Sequence, residues 1–222
     1  MNLPTYYLRR PAFDLTNEIT ASFEELFTEL ILSANGDLVD YSLSAPKWQF
    51  LNYLSDTKAV VMHGSGDSTI SEFEPRQSNF VIEFGDQRAV YAASDGIWAS
   101  FYAILDRDRY VRSLINTCNR YVGPYGQADS YYFFSINDDA LPHRPWRTGT
   151  VYILPRQTFE MEPALEGREA TQWRSFSPVK PLAKVSIRPE EFQFLDHIRG
   201  HDLPTIQRRV KENPNGFPWL ED

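Results

Sequence analysis

The sequence predicts a single α+β domain. Helical periodicity is concentrated near the start of the chain, whereas runs rich in β-branched and aromatic residues dominate the middle and the end. Alternation between strands and helices is weak, which argues against a doubly wound parallel sheet. The 222 residues, 42% of them hydrophobic and 14% aromatic, suffice for one sizeable core. No internal repeat or long linker divides the chain, so we expect one domain over 1–222 with a helical portion over about 1–57.

Local signals place the individual elements. Thr16 can cap a helix whose apolar residues from Ile19 to Ile31 share one face, and Asn35-Gly36 ends that helix. Further helices are expected over 46–54 and 96–105, and from Pro189 and Pro204 onward. Strands are expected over 59–62, 89–93, 131–136, 150–154, 173–176 and 182–187. The segment 160–171 lacks an apolar period and predicts an exposed loop.

Charge and cysteine content restrict the partners and the compartment. With 22 basic and 30 acidic residues, the net charge of −8 disfavours nonspecific binding to nucleic acid or to anionic lipid. Cys118 is the only cysteine, so no intramolecular disulfide can form. The sequence offers neither a signal-peptide stretch nor an apolar run long enough to span a bilayer. We therefore expect a soluble protein of the cytoplasm that does not interact with membranes.

His63-Gly64-Ser65 follows a strongly apolar run and is the first candidate for chemistry. Gly64 has no Cβ, so a ligand could approach its backbone closely and pair a planar carboxamide with its N–H and C=O. The imidazole of His63 and the hydroxyl of Ser65 could hydrogen-bond to sugar hydroxyls. The alternative is an ordinary turn that contains a hydrogen-bonded histidine.

A second motif lies about twenty residues further on. Phe84-Gly85 precedes the strand Ala89-Val90-Tyr91-Ala92-Ala93-Ser94-Asp95, and a helix that carries Tyr102 follows. Together with His63-Gly64-Ser65, this order over residues 58–103 resembles the nicotinamide pocket of the poly-ADP-ribose polymerases, a clade of the ADP-ribosyltransferase superfamily. The resemblance implies a split β core and NAD as a substrate.

The resemblance also assigns roles to residues. It implies that His63 holds ribose hydroxyls, that Gly64 binds the carboxamide, and that Tyr91 and Tyr102 enclose the nicotinamide ring. Ser100 lies one residue away from the position of a serine that contacts the carboxamide in that family. The alternative is that both tyrosines are ordinary core aromatics.

The third motif of the family departs from the pattern. Gln172-Trp173-Arg174-Ser175-Phe176, followed by 182–185, has the shape of the last motif, and Gln172 stands where the resemblance implies a catalytic glutamate. Cleavage of the bond between nicotinamide and ribose develops oxocarbenium character, which a nearby carboxylate stabilises. A neutral amide can orient a hydroxyl, but its electrostatic field stabilises the developing positive charge less than a carboxylate does, and it cannot act as a base. Glu160, Glu166 or Glu169 could compensate; otherwise they belong to a solvated acidic loop.

Three further signals remain. Arg76 follows the His63 motif and could reach a pyrophosphate, or it could be a surface ion-pair partner. His197 and His201 are spaced for a metal on a helix, but Gly200 weakens that helix and no third ligand follows, so no metal is predicted. Arg208, Arg209 and Lys211 are interpreted as a solvated helix face.

These observations support three functional hypotheses. The first is an NAD-dependent ADP-ribosyltransferase that uses His63, Tyr91 and Gln172 and modifies a protein, a nucleic acid or a small molecule. The second is a binding module for NAD or ADP-ribose without catalysis, acting as a sensor or an interaction protein. The third, an RNA 2′-phosphotransferase relative, requires several convergent arginines, for which only Arg76 and Arg174 are candidates.

Overall fold

A computed structural model describes residues 4–12, 15–33, 35–78, 84–122, 128–164 and 168–220. The helices within these ranges are α1 (Asn17–Ser33), α2 (Lys47–Thr57), α3 (Gly96–Ile104) and α4 (Leu203–Glu212). The strands are β1 (Leu8–Arg9), β2 (Val60–Ser65), β3 (Arg76–Gln77), β4 (Arg88–Ala93), β5 (Leu114–Val122), β6 (Ala128–Asn137), β7 (Gly149–Pro155), β8 (Glu160–Met161), β9 (Arg168–Glu169), β10 (Gln172–Ser175), β11 (Ala183–Ile187) and β12 (Arg199–His201).

The strands form two sheets. The larger sheet has the order β11-β7-β2-β4-β10-β8, with β3 added to β4. The smaller one has the order β1-β6-β5-β9, and β12 also pairs with β6. All pairings are antiparallel except that of β12 with β6. Helices beside mainly antiparallel sheets confirm the α+β class.

The predicted helix boundaries correspond to specific caps. The Oγ1 of Thr16 accepts a hydrogen bond from the N–H of Ile19 at 3.2 Å, as expected of an N-cap. Gly36 adopts a φ of 76°, a left-handed conformation that favours glycine shortly after a helix end. Asp95 caps α3 by accepting from the N–H of Trp98 at 2.8 Å.

Helix α3 lies at the centre of the fold and is buried on nearly all sides. It crosses the larger sheet over two glycines, Gly64 in β2 and Gly149 in β7. A Cβ on Gly64 would overlap the carbonyl oxygen of Ala99, and one on Gly149 would overlap that of Ala103. Both glycines are therefore required for the close approach of helix and sheet.

Four details of the sequence prediction were wrong. The segment 160–171 is not a continuous loop, since it contains β8 and β9. Strand β2 continues through His63, Gly64 and Ser65 instead of ending before them. The region that Pro189 opens contains only 3₁₀ turns, at Pro189–Glu191 and Leu195–His197, followed by β12. Strand β5 was not predicted, because polar residues interrupt its apolar pattern.

Candidate functional site

The three strands that carry the motifs are neighbours in the larger sheet. Ala93 of β4 pairs with Met62 of β2 on one side and with Gln172 of β10 on the other. His63, Tyr91 and Gln172 therefore lie on adjacent strands, although 109 residues separate the first from the last. We use "the β2/β4 junction" for the region where β2 leaves β4 beyond Met62.

On the edge of β4 that faces β2 and β3, the ladder is interrupted at Tyr91, whereas on the other edge Tyr91 pairs with Arg174 of β10. β4 pairs with β2 at Ala93 and with β3 at Ala89, but at Tyr91 a side chain takes the place of a backbone partner. The Nδ1 of His63 lies 2.7 Å from the carbonyl oxygen of Tyr91. A carbonyl can only accept, so Nδ1 must carry the proton. Neutral His63 is thereby left with Nε2 as a hydrogen-bond acceptor.

The surroundings of His63 favour the neutral imidazole. Burial lowers the pKa of His63, and the positive charges of Arg107 and Arg76 lower it further, against the raising effect of the Tyr91 carbonyl. Neither arginine has a salt bridge among the residues that the structure describes. The junction is therefore flanked by two exposed cations suited to an anionic group.

Arg107 was missed in the sequence. It follows α3 within an Asp-Arg-Asp segment, a pattern typical of a solvated turn. Its charge affects the pKa of Tyr102 as well as that of His63, so it lies near both predicted site residues. Only the packing of α3 across β2 brings these residues together, and no local signal could have indicated it.

Strand alternation separates the side chains of the predicted set. Met62, Ala93 and Gln172 are directly opposite one another and point to the same face, towards α3. His63 pairs with Tyr152 of β7 and points to the other face, where its ring lies 4.7 Å from that of Phe73. The structure thus brings the backbone of Tyr91, rather than its ring, to His63.

Both predicted stacking tyrosines have hydrogen-bonded hydroxyls. The Tyr91 hydroxyl donates to the carbonyl of Phe84 at 3.1 Å and accepts from the N–H of Gln87 at 2.9 Å, which fixes the loop before β4. The Tyr102 hydroxyl donates to Oδ1 of Asn116 at 2.9 Å, and Nε1 of Trp98 donates to the same oxygen at 2.6 Å. Both rings are half-buried and held in place.

The two predicted serines are used within the chain. The Oγ of Ser65 accepts from the N–H of Asp67 at 3.1 Å and remains half-buried at the end of β2. Ser100 is only 2% exposed, and its hydroxyl donates to the carbonyl of Gly96 within α3 at 2.7 Å. Ser65 is therefore close to the β2/β4 junction, whereas Ser100 is committed to its own helix.

Of the carboxylates considered as substitutes for the missing glutamate, the two that the structure describes lie in different sheets. Glu160 pairs with Arg174 at 2.6 Å. Glu169 belongs to β9 in the smaller sheet and lies 3.4 Å from Nε of Arg120. Glu166 is outside the described residues.

Glu162 is adjacent to Gln172 and was missed in the sequence. Its N–H donates to the carbonyl of Gln172 at 3.0 Å, and the β10/β8 register makes the two residues opposite one another. Opposite residues on antiparallel strands share a face, with Cβ atoms about 5 Å apart. Burial raises the pKa of Glu162, against the lowering effect of Arg168. It is thus the described carboxylate nearest in register to Gln172.

No described helix has the length and apolarity to cross a membrane. Within the same ranges, no cluster of three or more His, Cys, Asp or Glu side chains could hold a metal ion.

No protein-family model matches the chain, and neither a curated protein nor a solved structure is significantly similar to it. Function is therefore inferred from the geometry of the chain itself.

The lowered pKa of His63 predicts a pH-dependent contribution to stability. The unfolded chain takes up the imidazole proton near the ordinary pKa of 6.5, and the folded chain does so only at lower pH. The free energy of unfolding should therefore fall as the pH drops from 7 through 6.5 towards 5. His63→Gln should lose less stability over this interval than the wild type does, as measured by urea unfolding.

A matched control is His197→Gln, since His197 is exposed. Identical pH dependence in His63→Gln and the wild type would contradict a neutral, half-buried His63.

Proposed function

We propose that the chain binds NAD at the β2/β4 junction and is an ADP-ribosyltransferase-like protein that transfers ADP-ribose to an acceptor with release of nicotinamide. The observation that carries this proposal is the interrupted ladder at Tyr91, next to which the motif strands β2, β4 and β10 lie side by side. Backbone and side-chain groups at such a break can form hydrogen bonds with a planar carboxamide or a sugar hydroxyl.

The charge around the junction supports a ligand with a diphosphate. Arg76 and Arg107 both approach His63, on a chain whose net charge is −8. Their guanidinium groups can bind phosphate oxygens by charge-assisted hydrogen bonds. Neutral His63 offers Nε2 as an acceptor for a ribose hydroxyl on its own face of the sheet, and on the opposite face, where α3 and Gln172 lie, Tyr102 near Arg107 offers a partly exposed ring for stacking.

Catalysis would depend on β10 and its neighbour β8. In the proposed reaction, Gln172 orients the ribose 2′-hydroxyl, and the bond between the nicotinamide nitrogen and the anomeric carbon breaks with its electron pair moving to nicotinamide. The acceptor then bonds to the anomeric carbon and gives up its proton. Glu162, opposite Gln172, supplies a carboxylate that can stabilise the developing positive charge and take up that proton.

A binding module without catalysis is the second candidate. The observation that favours it is the neutral amide of Gln172, together with the engagement of Glu160 and Glu169 by Arg174 and Arg120. Such a protein would bind NAD or ADP-ribose at the same junction. The two candidates differ only in nicotinamide release.

Ligand binding should be visible as a gain in stability. We expect NAD at a hundredfold excess over its Kd to raise the free energy of unfolding by about 2.7 kcal/mol. Arg107→Gln should weaken NAD binding by about tenfold, because it removes a charge-assisted contact. Isothermal titration calorimetry and urea unfolding with and without NAD measure both effects.

Arg109→Gln is the matched control for Arg107→Gln. Arg109 is exposed in the same turn, but it is not among the charges that act on His63. Its removal should change NAD affinity less than twofold. The absence of any heat or stabilisation at millimolar NAD would exclude both candidate functions.

A further inference from the structure

Three hydrogen-bonded side chains form a polar cluster on the smaller sheet. His201, at the end of β12, lies between Ser113, which directly precedes β5, and Ser135 of β6. Its Nε2 is 2.9 Å from the Oγ of Ser113, and its Nδ1 is 2.8 Å from the Oγ of Ser135. The proposed NAD site involves none of these residues. We refer to them as the His201 triad.

The hydrogen-bonding partners of the triad determine where its protons lie. The Oγ of Ser135 donates to the carbonyl oxygen of Arg199 at 3.1 Å, so its single proton is used there. Ser135 can therefore only accept from His201, which places the imidazole proton on Nδ1. The neutral ring then has Nε2 as an acceptor, and the hydroxyl of Ser113 donates to it.

The surroundings of His201 favour the neutral imidazole. Only 2% of the residue is exposed, and burial lowers its pKa against the raising effects of Asp138 and Asp202. A neutral imidazole whose Nε2 accepts from a hydroxyl is the arrangement that general-base catalysis requires. His201 can therefore take up the proton of Ser113 while that oxygen attacks an electrophile.

The three members correspond to the parts of a site with a serine nucleophile. In such a site one residue supplies the hydroxyl, a second acts as the base, and a third holds the base in one orientation. Here the third group is the buried hydroxyl of Ser135, which is anchored to the backbone of β12. The charges of Asp138 and Asp202 act on His201 and would stabilise the imidazolium ion that forms.

A ligand can reach the triad from its partly exposed member and from a neighbouring groove. Ser113 is half-buried, whereas the other two members are buried. His201 also lines a groove of about 400 Å³ between β12 and α4, within the range of about 300–1,000 Å³ for small-molecule sites. Arg199, Asp202 and Leu220 line the same groove. Charges of both signs therefore border it, which favours an uncharged ligand.

We propose that Ser113 is the nucleophile of an acyl-transfer site for small uncharged carboxylic esters, with His201 as its general base. The Oγ of Ser113 bonds to the ester carbonyl carbon, and its proton passes to Nε2 of His201. The bond from that carbon to the alcohol oxygen then breaks, and the alcohol leaves with the proton. Water attacks the acyl group on Ser113 and gives a proton to Nε2. That proton returns to Oγ as the carboxylic acid departs.

A fluorophosphonate reagent tests the nucleophile in the full wild-type chain. The Oγ of Ser113 displaces fluoride from phosphorus, and its proton passes to His201, so a stable phosphonyl adduct remains. Peptide mass spectrometry should locate this adduct on Ser113. Protein unfolded in urea should not react, because the reactivity depends on the folded contact with His201. Labelling of the folded protein should slow below pH 6, as the imidazole becomes protonated.

Hydrolysis of p-nitrophenyl acetate tests the two catalytic roles. The value of kcat/KM should fall by about 10²-fold or more in Ser113→Ala and in His201→Gln, the scale of general-base catalysis. Ser22→Ala is the matched control, since Ser22 is also half-buried but its hydroxyl donates to the carbonyl of Glu18 at 3.0 Å. This variant should change kcat/KM less than twofold. Circular dichroism verifies that each variant is folded.

Four outcomes would overturn the proposal. They are the absence of a phosphonyl adduct on Ser113, equal labelling of folded and unfolded protein, equal hydrolysis by Ser113→Ala and Ser22→Ala, and an unchanged rate in His201→Gln. If His201→Gln does not fold, labelling of the wild type that stays constant from pH 8 to pH 5 would equally exclude His201 as the base.

Discussion

Replacement of Gly64 with alanine is expected to lower the free energy of unfolding by about 3 kcal/mol or more, near the upper end of the usual cost of overpacking. The added Cβ would overlap the carbonyl oxygen of Ala99 and lie 2.9 Å from the backbone nitrogen of Ala103. Both atoms belong to the backbone of α3, so no side-chain rotation can relieve the overlap. The helix would have to move away from β2, which would loosen the centre of the core. Urea unfolding followed by circular dichroism measures the loss.

Gly66→Ala is the control for this substitution. The atoms nearest to a Cβ on Gly66 would be those of the Arg147 side chain, at 3.2 Å, and that flexible side chain can move. This variant should stay within about 1 kcal/mol of the wild type. Similar stability of the two variants would mean that α3 does not press on Gly64, and the glycine would then be explained by ligand access alone.

Elements with local signals could be predicted from the sequence. Thr16 and Gly36 mark the ends of α1, and the apolar runs around Val61 and Val90 mark β2 and β4. Strand β5 could not be found in this way, since Asn116 and Asn119 are buried in it with hydrogen-bonding partners that come from elsewhere in the chain. Periodicity detects apolar faces, but it cannot recognise a polar residue whose partner lies far away in the sequence.

The candidate site was predictable only to the level of its strands. The order of the motifs predicted that His63, Tyr91 and Gln172 belong to one site, and their strands are indeed adjacent. The roles of these residues remain predictions. Arg107 and Glu162 join the site through the crossing of α3 and the pairing of β8 with β10, which are tertiary contacts without a local sequence pattern.

The second large expected effect concerns the missing carboxylate. If the proposed function is correct, Gln172→Glu should raise the rate of nicotinamide release from NAD by about 10²-fold, the scale of one transition-state electrostatic partner. The substitution puts a charge where the oxocarbenium ion would develop, and it preserves the length of the side chain. Single-turnover measurement of nicotinamide release at saturating NAD isolates this step from binding.

Glu162 determines how the result is interpreted, because it would lie beside the introduced glutamate. Two adjacent carboxylates raise the pKa of one of them, so the gain should increase with pH until both are ionised. If the wild type already releases nicotinamide through Glu162, then Glu162→Gln should abolish that activity, and Glu169→Gln should not, since Glu169 lies in the other sheet.

NAD binding without release in any variant would identify a binding module. Release that is unaffected by Gln172→Glu, Glu162→Gln and Glu169→Gln alike would show that β10 does not carry the third motif, because a carboxylate or amide in contact with the ribose cannot be exchanged without changing the barrier.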